Sequence, residues 1–304
     1  MSESTRGILL FAENNDRINY LKLAILSALC VKNNLGKDTK VSVVTNHFSL
    51  AWLDNETKEF VENLFDKIII SEDPGFDGEV MRPANMRVYR DTQYYSVTSQ
   101  FLNHSRSNAY SLTPYDETLL VDVDYFILND QLNSVWGCNE DFLINKSAKS
   151  LLHEELTGPE FRLNPFGIRM YWATLIYFKK TEKAKLVFDL VEHVKDAWNY
   201  YKHVYDFPGD LYRNDFAFSI ALHMLNGFSS DDDFVKSFPD PSILTAIDTD
   251  QFIDFDDKQT ARLFANDPVV RHNFYVSKIK EVNFHCLNKI SILNKYSQLL
   301  EKLK

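Results

Sequence analysis

Asp122 and Asp124, with Val123 between them, are the residues whose chemistry is easiest to state from this sequence. An apolar run at 118–121 precedes the pair, another at 125–128 follows it, and Pro114 and Asp116 mark a turn ahead of both. Short apolar runs bounded by turn residues read as buried strands. Residues two apart on an extended chain point to the same side, so both carboxylates are expected to face one point. Buried carboxylates are costly unless something pairs them. A hard divalent cation, shared with substrate phosphates, is the usual solution. The same Asp-x-Asp spelling recurs at Asp231/Asp233, Asp248/Asp250 and Asp254/Asp256, in an acidic, Pro-containing region that reads as solvated loop. Only the pair at 122 and 124 is framed by apolar strand on both sides, and it is therefore the expected cation site.

The elements that must position this pair follow from periodicity. Residues 7–12 form a strand candidate ending in the polar loop Glu13-Asn14-Asn15-Asp16. A helical pattern starts at Arg17, with Ile18, Leu21, Ile25, Ala28 and Leu29 on one face, and stops at 33–36. Residues 40–45 form a second strand, followed by Asn46. Asp54 is placed to cap a helix with Phe60, Val61, Leu64 and Phe65 as its apolar stripe. Residues 67–70 form a third strand. This alternation argues for an α/β fold, a mostly parallel central sheet flanked by helices. Ligands of such sheets gather beyond the C-terminal strand ends, where Asn14, Asn46 and the two aspartates fall. Residues 71–85 read as loop and 87–110 as helix; 129–167 are the least readable. A strand at 171–178, a long helix running from Val187 to Tyr201, and a helix opened by Arg213-Asn214-Asp215 follow. A strand around 282–285 and one amphipathic helix at 290–303 complete the expectation.

The chain has 304 residues and a net charge of −10, which disfavours non-specific binding to nucleic acid or anionic membrane. The charge is uneven: nine Asp against one Lys at 230–257, and seven Lys or Arg against two Glu at 271–304. Aromatic residues make up 14%, which excludes a disordered chain. No apolar run approaches a membrane span. The first six residues lack the layout of a signal peptide, and three widely spaced cysteines (Cys30, Cys138, Cys286) fit reduced thiols, so a cytoplasmic protein is expected.

Four regions, in order, resemble the glycogenin-like glycosyltransferases of the GT-A (Rossmann-like) fold. Residues 111–115 leading into Leu119-Leu120-Val121-Asp122-Val123-Asp124 are similar to the segment entering that family's metal motif. Phe11-Ala12-Glu13-Asn14 with Tyr20 resembles its uridine-binding loop, Arg106 stands at its basic donor-contacting position, and residues 283–289 are similar to its His-x-x-Gly segment. The resemblance implies a nucleoside-diphosphate sugar, read as a UDP-sugar, held with Mn²⁺ or Mg²⁺. Asp122, Asp124 and His285 would be metal ligands; an imidazole beside carboxylates suits Mn²⁺ better. Ala12, Asn14, Tyr20, Asn46, Arg106, Asp122, Val123 and Lys289 would bind the donor, Tyr20 either packing or stacking on the base. The family's Asp-Gln pair falls on Asn214-Asp215, and either residue could face the sugar. The Asn-Ala/Ser-Gly turn is replaced by Tyr171-Trp172-Ala173, and Asn288 stands where Gly is expected, a substitution that a left-handed backbone tolerates.

These features imply one domain spanning 1–304, with a nucleotide-binding half to residue 130, an acceptor half beyond it, and a helical C-terminal extension. The implied activity is sugar transfer with retention. Glycan, protein, lipid and modified nucleic acid all stay open as acceptors. A non-catalytic binding module of the same fold is the alternative. A sugar nucleotidyltransferase would need a Gly-rich loop after the first strand, which Glu13-Asn14-Asn15-Asp16 is not. A haloacid-dehalogenase-like phosphatase would carry its aspartates on an early strand.

Overall fold

Strand and helix alternate from the start of the chain in the computed structural model, which describes residues 5–71, 86–103, 105–151, 168–207, 211–229, 234–266 and 274–304. The first elements are β1 (Arg6–Phe11), α1 (Tyr20–Asn34), β2 (Val41–Thr45), α2 (His47–Ala51), α3 (Asn55–Leu64) and β3 (Lys67–Ile70). Asn19 caps α1 by accepting from Lys22 N, and Asp54 caps α3 by accepting from Thr57 N. Both satisfy backbone donors that a helix start leaves free. β1 is central, parallel to β2 on one side and to a later strand on the other, and its five residues after Arg6 are all buried. A strand buried on both faces is apolar throughout, as Ile8-Leu9-Leu10-Phe11 is.

The expected helix at 87–110 is instead a hairpin, β4 (Met86–Arg90) and β5 (Ser96–Gln100), then a 3-10 turn at Ser105–Asn108 and a single helical turn, α4 (Ala109–Leu112). Period two governs here: Arg87 packs across the rings of Tyr89 and Phe101, while Met86 and Val88 stay exposed. Thr92 Oγ1 accepts from Tyr94 N and Tyr95 N and closes the hairpin.

β6 (Glu117–Val121) completes the parallel part of the sheet. β7 (Tyr125–Phe126) does not continue it. The chain turns at 122–124, with Tyr125 N bonded to Asp122 O at 3.0 Å, and β7 joins a second sheet. The two aspartates therefore converge through a turn and not through strand alternation. The region that was hardest to read contains β8 (Phe142–Asn145) and β9 (Ser147–Ser150). β10 (Trp172–Lys179) lies antiparallel between β6 and β8, giving the order β3-β2-β1-β6-β10-β8 for a central, mostly parallel sheet. The expected long helix divides at Ala197 into α5 (Glu182–Asp196) and α6 (Trp198–Val204), and α7 (Asn214–Leu225) follows, closed by Gly227 at φ 68°.

At Asp254 and Asp256 the acidic region is strand where solvated loop was expected, while Asp248 and Asp250 lie in a turn. β11 (Ser242–Ala246) is followed by an antiparallel meander of β12 (Gln251–Asp257), β13 (Thr260–Asn266) and β14 (Phe274–Lys280). Asp254 is buried because Arg262 on the facing strand meets it with two hydrogen bonds, at 2.7 and 2.5 Å. Asp231 and Asp233 lie outside the described residues. β15 (Phe284–Cys286) joins β7, β11 and β9 in the second sheet, order β7-β15-β11-β9. The C-terminal helix breaks at Asn294 into α8 (Lys289–Leu293) and α9 (Tyr296–Leu303), which pack on β12 and α1. Phe126, Phe252, Phe255 and Phe284, with ring centroids 5.0–6.3 Å apart, join the second sheet to the meander. Among the described residues no helix is long and apolar enough to cross a membrane.

Candidate active site

The site forms where the end of the first sheet meets the second. Asp122 follows β6, and its backbone N–H donates to Thr174 O of β10 at 2.9 Å. Asp124 leads into β7, and its carbonyl accepts from Cys286 N at 2.9 Å, which places His285 alongside. One carboxylate oxygen from each aspartate and one His285 ring nitrogen lie within 4.8 Å of one another. That set, two hard oxygens and an imidazole, fits a divalent cation such as Mn²⁺. His285 Nδ1 is buried without a partner among the described residues.

Two cations of the chain already attend this cluster. Arg106 Nη1 donates to Asp122 Oδ1 at 2.5 Å, and its Nε and Nη2 are buried without partners among the described residues. Lys289 Nζ donates to Asp124 Oδ2, the atom that also receives His285 Nε2 at 3.1 Å. Burial works against charge on Asp124, but Lys289 and His285 outweigh it and hold this carboxyl well below the usual range. Burial lifts the Asp122 carboxyl above its ordinary value by more than Arg106 lowers it, and the charge on Asp124 lifts it further. Two carboxylates so placed attract positive charge.

Lys289 opens α8, whose cap is Asn288 accepting from Ser291 N at 3.0 Å. Asn288 has φ −79°, so it serves as a helix cap and needs no left-handed backbone. The departure from Gly is thus absorbed by a different local structure.

One pocket is lined by Tyr20, Arg106, Asp122, Val123, Asp124, Asn214, Asp215, His285 and Lys289 together. Ala12, Asn14 and Asn46 are not part of its wall, because their polar groups are used inside the fold. Ala12 N donates to Val44 O and its carbonyl accepts from Thr45 Oγ1. Asn14 and Asn46 are joined through Ser49, whose Oγ receives Asn14 N and donates to Asn46 Oδ1. They fix the strand ends around the site. Tyr20 presents its ring to the pocket while its hydroxyl bonds Tyr89 at 2.9 Å, and burial raises its pKa well above the ordinary value.

Asn214 and Asp215 divide their roles. Asn214 Nδ2 donates to Asn103 O, and Asn103 in turn exchanges two hydrogen bonds with the backbone of Glu13. Asn214 therefore ties α7 to the loop after β1. Asp215 Oδ1 accepts from Ala173 N and Oδ2 from Arg213, both at 2.9 Å. Arg87, Trp172 and Arg213 also line the pocket, and none was picked out as a site residue from sequence. Arg87 sat within the segment read as helix. Arg213 and Trp172 carry no spacing signal, although both adjoin motif positions. Among the described residues, four cations (Arg87, Arg106, Arg213, Lys289) and three carboxylates line this pocket in a chain of net charge −10. With a divalent cation added, the pocket suits an anion.

No family model matches the chain, and no curated protein matches it. Solved structures similar to it include glycosyltransferase GlyE of Streptococcus pneumoniae, over 78% of this chain and 46% of that one, at 11% identity and TM-score 0.43. Galactosyltransferase LgtC in complex with donor and acceptor sugar analogs is similar over 62% of this chain and 65% of its own, at 15% identity and TM-score 0.37. Mouse xyloside xylosyltransferase 1 is similar over 73% and 82%, at 12% identity and TM-score 0.39. The chain spans less than two thirds of the length of the first two.

Proposed function

We propose that this protein is a metal-dependent glycosyltransferase of GT-A type, moving a sugar from a nucleoside-diphosphate sugar, read as a UDP-sugar, to an acceptor with retention. The observation that carries the reading is the convergence of Asp122, Asp124 and His285 within 4.8 Å, beside the cations Arg106 and Lys289. Breaking the sugar–phosphate bond builds negative charge on the departing diphosphate. A bound divalent cation supplies Lewis-acid stabilisation of that charge, worth several kcal/mol. Arg106, with Nε and Nη2 unpartnered among the described residues, would add positive charge beside the same phosphates. Lys289, on the pocket wall, offers an ammonium to a second phosphate oxygen. Asp215, held by Ala173 N and Arg213, stabilises positive charge developing at the anomeric carbon. Val123 and Tyr20 shape the nucleoside end of the pocket. The 1–130 half binds nucleotide, and the remainder contributes the acceptor side and the late metal and phosphate segment. Three unbridged cysteines agree with a reducing compartment.

The test is hydrolysis or transfer of UDP-sugars with and without Mn²⁺. Asp124→Asn is expected to lower metal-dependent turnover by at least about a hundredfold, in line with the loss of several kcal/mol of charge stabilisation, with an unchanged circular dichroism spectrum. Equal turnover in variant and parent would remove the metal assignment. One observation favours a second reading, a binding module that holds the donor without turning it over: both oxygens of Asp215 already have protein partners. Nucleotide binding with no turnover in any sugar series would select it.

A further inference from the structure

A second cavity, of about 500 Å³, lies behind the strands that carry the site. Its wall takes Leu175 where the first pocket takes Thr174, and Tyr125 where the first takes Asp124. Thr174 and Leu175 are neighbours on β10, whose successive side chains point to opposite faces, so the two spaces lie on opposite faces of that strand. The volume falls in the range of roughly 300–1,000 Å³ typical of small-molecule sites.

Some polar groups of this cavity keep unused hydrogen-bonding capacity among the described residues, although Asp240 Oδ1 accepts from Ser242 N. Asn145 is 2% exposed; its Nδ2 donates to Asp240 O at 2.8 Å, and its Oδ1 accepts nothing among the described residues. Tyr125 is 5% exposed and its hydroxyl has no hydrogen-bond partner among the described residues, with the charge of Asp240 acting on it across the cavity. Lys149 and Asp240 face the same space from opposite sides in charge and form no ion pair with each other. Leu175, Phe238 and Val282 give the cavity apolar wall.

We propose that this cavity binds a neutral saccharide. Each feature excludes another class. A net anion would gain from Lys149 and lose against Asp240, and a net cation the reverse, so opposite unpaired charges favour a ligand of no net charge. An apolar ligand would leave the buried Asn145 Oδ1 unsatisfied, which costs free energy, and would shut the Tyr125 hydroxyl off from water. A pyranose offers hydroxyls that both donate and accept, which suits Asn145 Oδ1 and Asp240 as acceptors, Lys149 as donor and Tyr125 as either. Its C–H face lies against Leu175, Phe238 and Val282. The inference stands on this cavity alone and does not depend on the donor chemistry of the first pocket.

The test is saturation-transfer NMR on the full chain, without metal or nucleotide. The probes are methyl pyranosides of glucose, galactose, mannose and xylose, with lactose and maltotriose. At least one is expected to receive saturation, and equally in Asp124→Asn. Tyr125→Phe is expected to weaken that ligand about three- to tenfold, the span of one hydrogen bond. Val282→Trp, at a residue 41% exposed on the cavity rim, is expected to abolish binding by filling the mouth; one-dimensional proton spectra check that both variants fold, and Tyr125→Phe decides if Val282→Trp does not. Three results would overturn the inference: no probe binds; binding survives Val282→Trp or Tyr125→Phe undiminished; or glucose 6-phosphate or glucosamine binds more tightly than the methyl glucoside. Binding lost in Asp124→Asn but kept in Val282→Trp would place the sugar in the first pocket, overturning this inference while leaving the transferase reading in place. Saccharide binding here with no turnover of any UDP-sugar would do the opposite.

Discussion

Asp124 receives hydrogen bonds from Lys289 and His285 on the same oxygen, and all three side chains are nearly shut off from solvent. Lys289 is the ammonium that neutralises this carboxylate, with His285 adding a hydrogen bond to the same oxygen. Removing one member of a buried pair leaves an uncompensated charge and costs about 3–5 kcal/mol. Lys289→Ala should therefore melt well below the parent in chelator. Mn²⁺ should raise the variant's melting temperature more than the parent's, because the ion then takes over a task the ammonium performs in the parent. Equal shifts in the two proteins would detach Lys289 from the cluster of Asp122, Asp124 and His285. Of the residues around this centre, Asp122 and Asp124 were legible from their apolar frame. Arg87, Trp172 and Arg213 were not, because their meeting depends on the hairpin, on β10 and on the entry to α7 arriving at one place. No local spacing records such a meeting.

At the scale of elements, β1, β2 and β3 were readable as short unbroken apolar runs, and α1 and α3 as longer apolar patterns bounded by polar residues. Three segments were not. In the 86–100 hairpin the alternation puts Arg87 and Tyr89 inward and Met86 and Val88 outward, inverting the usual code. In the meander, Asp254 is stabilised by Arg262 across a strand pair, a partner that composition cannot reveal. The helices at 182–204 and 289–303 each kept one apolar stripe across a break, so periodicity joined what the backbone divides. The start of β1 gives a test at this scale. A Cβ on Gly7 would come within 2.4–2.7 Å of the Tyr115 ring, which is buried and anchored by its hydroxyl to Ser42 at 2.6 Å. Gly7→Ala is expected to cost about 1–3 kcal/mol through overpacking, read as a lower urea midpoint. Gly7→Ala combined with Tyr115→Ala should recover part of that loss relative to Tyr115→Ala alone; a strictly additive pair would disprove the contact.

For the molecule as a whole, the net charge of −10 and a pocket lined by four cations pull in different directions on an anionic ligand. The local field is decisive, because charges more than a Debye length away, about 8 Å at physiological salt, are largely screened. A nucleoside diphosphate should then raise the unfolding temperature only weakly alone and strongly with Mn²⁺; at a hundred times its Kd the shift corresponds to about 2.7 kcal/mol. Equal shifts with and without the ion would mean that phosphate recognition rests on the side chains alone. The turn at 122–124 has one more consequence. Lys289 and Asp124 are 165 positions apart, and the cluster draws on two sheets that share no continuous strand. An ion seated there would act as a rivet through overlapping plates: withdrawing it leaves the β7–β15 pairing and the Lys289–Asp124 bond to hold the join alone, and the loosening should run along β7 and β15 before it reaches the buried strands of the first sheet.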